Sequence, residues 1–95
     1  MHASMSETYN GWKNRTTWAL NLWLANDQDS YTAAREWAQH ASEVAERDGQ
    51  AAGAAMFARL IRDNWHAMPS LMRIDVGNDL SQVDWAAVME SFLEE

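Results

Sequence analysis

Apolar residues fill every position from 18 to 25 except Asn21. On a helical wheel Trp18, Leu22 and Ala25 lie on one side, and Leu20, Trp23 and Leu24 on the other. A helix that is apolar all round has no solvent face, so it belongs inside a bundle or under a partner. The stretch around it, residues 10–26, is the centre of the chain. Asn10-Gly11 ahead of it marks a turn, because both residues accept positive φ more readily than others. Thr16 or Thr17 is placed to cap the helix with its hydroxyl. Lys13 and Arg15 form the one basic patch before residue 35. Cations at that end oppose the helix dipole, so the pattern suggests that Arg15 clamps the turn to a carboxylate or a carbonyl, the alternative being a partner contact.

Three further helices follow from periodicity. Residues 26–30 read as a loop in which Asp29 or Ser30 caps the next helix. That helix runs to about Arg47 and stops at Asp48-Gly49. Its stripe of Ala34, Trp37, Ala38, Ala41, Val44 and Ala45 keeps i, i+3, i+4, i+7 spacing. Asp29, Glu36, His40, Glu43 and Arg47 fall on the opposite, solvated face. A third helix is expected over residues 50–67, ended by Pro69. Gly53, Phe57, Leu60, Ile61 and Asn64 share its inner face, and Arg59, Arg62, Asp63 and His66 its outer one. His66, near the end, is placed for a cap-like contact. Within residues 69–80, Leu71 to Val76 alternates loosely and could form a short strand, or one helical turn and then a loop. Since a lone strand lacks a partner, irregular structure, with a β segment as the alternative, is expected. Ser81-x-x-Asp84 resembles a capping box, with Leu80 and Trp85 as the hydrophobic staple of a last helix. Trp85, Val88, Met89, Phe92 and Leu93 form its inner face. The expected fold is all-α, a small four-helix domain over residues 10–95 with a central Trp-rich helix. Residues 1–9, His2 among them, are expected to be a flexible tail.

Composition narrows the function. Ninety-five residues are enough for one core. Fourteen acids against seven bases leave a formal charge of −7. Phosphate backbones repel such a surface, which argues against direct nucleic-acid binding despite the Trp residues interleaved with Lys13 and Arg15. A basic protein surface is the natural partner; solubility is the plainer reason for acidity. With no Cys, thiolate metal sites and cysteine catalysis are excluded. No long apolar run or leader-like segment is present, so the expected location is cytoplasmic. No phosphate loop, nucleophile elbow or metal-helix motif appears. Glu36, His40 and Glu43 lack matching ligands on a second helix, so neither a metal nor a cofactor is expected, nor catalysis.

The run Asn10-Gly11-Trp12-x-Asn14-Arg15-x-Thr17-Trp18, followed by Leu22-Trp23, resembles a motif of small proteins from bacteriophages and other mobile elements. Val83-Asp84-Trp85 is a weaker echo. The resemblance implies an inhibitor of host defence, of the anti-CRISPR or anti-restriction type, acting in the bacterial host's cytoplasm. Its partner would be a CRISPR surveillance complex or restriction enzyme, bound at a basic surface that normally holds DNA. From Asp75 to the end of the chain there are six acids and no base. Asp75, Asp79, Asp84, Glu90 and Glu94 are therefore the first candidates to stand in for phosphates, with Asp29, Glu36 and Glu43 second. The other reading is a generic interaction or homodimeric assembly module that buries surplus Trp and Met.

Overall fold

Asn10 and Gly11 both sit at positive φ, +51° and +89°, as the two central residues of a type I′ turn require. The turn closes with Tyr9 and Trp12 exchanging backbone hydrogen bonds of 2.6 and 2.8 Å. The computed structural model describes residues 9–94. The expected tail, His2 included, falls outside these residues except at Tyr9. There the expectation fails, because Tyr9 is paired with Trp12 and its ring lies 4.8 Å from that of Trp18.

Among the described residues five α-helices follow and no strand: α1 (Arg15–Asn26), α2 (Gln28–Asp48), α3 (Gln50–Asp63), α4 (Ser70–Val76) and α5 (Trp85–Leu93). Two 3-10 turns, Trp65–Ala67 and Leu80–Gln82, flank α4. The chain is all-α, as its periodicity indicates. None of these helices is long and apolar enough to cross a membrane.

The helix starts depart from expectation in a consistent way. Asn14, not a threonine, caps α1, its side-chain oxygen accepting from the Thr17 N–H at 2.9 Å. Asp27, not Asp29 or Ser30, caps α2, accepting from the Ser30 N–H at 3.1 Å and its hydroxyl at 2.7 Å. Asp84 caps α5 by accepting from the Ala87 N–H at 3.3 Å, so Ser81 is not the cap. Ser81 instead donates to Asp79. With Asp84 as cap, the staple positions are held by Val83 and Val88, both buried. In each case the working residue lies within the expected cluster, because several polar side chains there have the chemistry and only the backbone path selects one.

Helices α2 and α3 form a tight antiparallel hairpin around Gly49, whose φ of +102° ends one helix and starts the other. Their axes approach closely at Gly53. A Cβ there would stand 2.5 Å from the Ala45 Cβ and 2.8 Å from the Ala41 carbonyl oxygen. The small-residue stripe Ala34, Ala38 and Ala41 is fully buried, which allows this approach. Helix α3 ends at Asp63, earlier than expected, and the 3-10 turn carries the chain to Pro69. His66 is exposed in that turn and makes no cap-like bond among the described residues.

Within residues 69–80, Ser70–Val76 form a helix and 77–79 a loop, which corrects the irregular or β expectation and lengthens the single helical turn that was its alternative. Met72 and Val76, the buried residues of α4, are four apart. Helical spacing thus decides this segment, and the loose alternation was incidental. The core joins Leu20 and Leu24 of α1, Phe57 and Ile61 of α3, Met72, and Met89 and Phe92 of α5. Phe57 also meets the Trp85 ring edge-on at 6.2 Å between centroids. Helix α1 is not enclosed: Leu22 and Ala25 are exposed and Trp18 only half-buried.

Candidate protein-binding surfaces

Three polar members of the opening motif, Asn14, Arg15 and Thr17, bond to the last third of the chain. The Asn14 amide donates to the Gln82 carbonyl at 2.8 Å. The buried Thr17 hydroxyl donates to Asn14 Oδ1 at 2.8 Å and accepts from the Asp84 N–H at 3.0 Å. One turn further, Asn21 Oδ1 lies 2.7 Å from the Ser91 hydroxyl. Positions 14, 17 and 21 share a helix face, so this row fastens α1 along the segment from Gln82 to Ser91.

A second clamp holds α4. Arg15 donates to Asp75 Oδ1 at 2.8 Å and to its carbonyl oxygen at 3.2 Å, while the Trp23 indole N–H reaches Oδ2 at 3.0 Å. Hydrogen bonding from Arg15, then from Trp23, holds the Asp75 carboxyl below its ordinary pKa; the same bond raises that of Arg15. Arg15 thus clamps to a carboxylate, as its position suggested. Its guanidinium also stands 5.8 Å from the Trp18 ring centre.

These contacts sort the candidate acids. Asp75 is committed to α1. Asp79 accepts from Ser81, which holds its pKa down. Asp84 caps α5, and Glu90 accepts from the Gln50 amide at 2.9 Å. Glu94, Asp29, Glu36 and Glu43 are exposed and hold no hydrogen bond or ion pair among the described residues. The last three lie on the outer face of α2, seven residues apart. Apart from Asp84, which the capping-box pattern marked, the sequence offered no signal for this sorting, since a held acid and a free one are spelled alike.

The opposite charge gathers on α3, where Arg59 and Arg62 are exposed, with His66 exposed in the turn that follows. Arg59 lies 3.7 Å from Asp63, and Arg62 stands 5.6 Å from the Trp85 ring centre. No group of three or more His, Asp or Glu among the described residues is arranged to hold a metal ion. A cavity of about 420 Å³ opens between the start of α2 and the segment from Asn64 to Pro69, with Asp29 and Trp37 in its wall. A groove of about 320 Å³ lies between Leu22, Trp23, Asn26 and Asp75.

Fold and surface together define a small helical protein whose opening motif is an internal fastener and whose acids are free mainly along one helix. The chain belongs to the Family of unknown function (DUF7249), whose model matches residues 5–67. That span includes the whole opening motif, whereas Asp75, Gln82, Asp84 and Ser91, its partners in the fold, lie beyond it. No curated protein and no solved structure gives a significant match.

Proposed function

We propose that this is a non-catalytic binding protein that presents the outer face of α2 to a basic, DNA-handling surface of a host defence complex and blocks DNA there. The observation that carries the reading is the row Asp29, Glu36 and Glu43, exposed and uncommitted on one helix of 21 residues. Seven residues rise ~10.5 Å along a helix, and three nucleotide steps along a strand rise ~10.2 Å. The acids thus match every third phosphate in rise along the axis, though not in the winding of the strand around it. Asp75, Asp79, Asp84 and Glu90 add to the negative field, but as internally held groups they are poor contacts for a partner. Glu94 is free to join the binding face. The counter-defence role rests on the resemblance of the opening motif to phage and mobile-element proteins.

Purified CRISPR surveillance complexes and restriction enzymes, offered labelled DNA with and without the protein over a salt series, test this. The expected result is displacement of DNA from one of them, relieved at high salt, and lost by tenfold or more in the variant carrying Glu36→Lys and Glu43→Lys. Absence of displacement, or displacement indifferent to both salt and charge reversal, overturns the reading.

A further inference from the structure

We infer that the outward side of α1, together with α4, is the contact surface of a homodimer in which two copies pack α1 against α1 in antiparallel fashion. The proposal stands apart from the counter-defence reading: its face shares only Asp29 with the row on α2, and its test uses no target protein. Trp18, Leu22 and Ala25 fall at i, i+4, i+7 on the side of α1 that no described element covers. Leu22 is 42% exposed and borders Asp75 of α4, the helix that exposes Leu71 and Ile74 at 66% and 76%. Tyr9, packed on Trp18, extends the stripe at its other end. In a small protein, large side chains gathered on one face mark an interaction site.

Charge identifies the occupant. Two copies of a chain with formal charge −7 repel over most of their surfaces. This face is the exception, because its central charges, Arg15 and Asp75, neutralise each other. Its two ends differ in sign. With Arg15 paired, Lys13 is the free cation ahead of α1 among the described residues, and Asp27 and Asp29 stand just past its end. Antiparallel packing sets the basic end of each copy against the acidic end of the other, twice over by symmetry. It also opposes the helix dipoles head to tail. In this register Leu22 of one copy meets Trp18 of its mate.

The face is modest in size. Helix α1 is ~18 Å long, and two neighbouring helices span ~20 Å with their side chains. A standard interface takes about 800 Å² from each partner, roughly a seventh of the 5667 Å² surface here. Length and breadth together give roughly 360 Å² a side, less than half of that standard, so the proposed dimer is weak and concentration-dependent.

Sedimentation velocity from about 1 µM to about 1 mM tests it without any target protein. The expected result is a reversible shift from 10.8 kDa to twice that mass. Leu22→Asp and Ile74→Asp should each hold the protein monomeric while circular dichroism shows the helices intact, since both side chains are exposed. Lys13→Glu and Asp29→Lys should each weaken association, and combining them should restore it. A monomer at every concentration overturns the proposal, as does a dimer indifferent to Leu22→Asp and Ile74→Asp. Charge changes that add instead of cancelling overturn it too.

Discussion

The hydroxyl of Thr17 accepts a hydrogen bond from the backbone N–H of Asp84, 67 residues further along the chain, at 3.0 Å. The same oxygen donates to Asn14, which caps α1, while Asp84 caps α5. One buried hydroxyl thus joins the starts of two helices.

Replacing Thr17 by Val keeps the shape and removes the hydroxyl. The Asp84 N–H is then left without an acceptor at a partly buried position, a loss of about 1–3 kcal/mol. Thr17→Ser should retain most of the stability. Urea unfolding of the three proteins checks this.

The two residues of the expected capping box should behave differently. Asp84→Ala removes the cap of α5 and should destabilise by about 0.5–2 kcal/mol. Ser81→Ala removes only an exposed turn bond to Asp79 and should be the milder change. Equal losses in thermal unfolding would restore Ser81 as the cap.

Asp75 makes the fold sensitive to acid. Its carboxyl is held below its ordinary value in the folded state, so the folded state binds its proton less readily than the unfolded chain. The stabilisation is complete above the unfolded pKa of about 3.9 and is lost as pH falls through the lower folded value. Asp79 acts in the same direction. Asp75→Asn should lower stability at neutral pH and flatten its decline below pH ~4. Denaturation curves across that range would show it, and parallel pH profiles for the two proteins would contradict it.

Gly53→Ala should drive a methyl into Ala45 and the Ala41 carbonyl oxygen and loosen the α2–α3 hairpin, at about 1–3 kcal/mol. Adding Ala45→Gly should recover part of the loss, because the carbonyl contact at 2.8 Å remains. The thermal midpoints of the single and double variants measure that recovery.

Local periodicity was enough to establish α2, most of α3 and α5, because each buries a face against neighbours whose spacing repeats every turn. The Asn10-Gly11 turn was also legible, since positive φ restricts the residues that fill it. The clamping role of Arg15 could be read from a cation at the wrong end of a helix, but not the identity of Asp75, 60 residues away.

Tertiary structure decided what local pattern leaves degenerate. Residues 70–76 become helical because Met72 and Val76 find the core, a gain that no short apolar run can reveal by itself. Helix α1, apolar all round, is covered by the described residues on one side only. The eight candidate acids look equivalent along the chain and separate into held and free groups only when distant donors arrive beside some of them. Periodicity is a property of neighbours within a few turns; the fate of a carboxylate or an apolar stripe depends on what the folded chain brings against it.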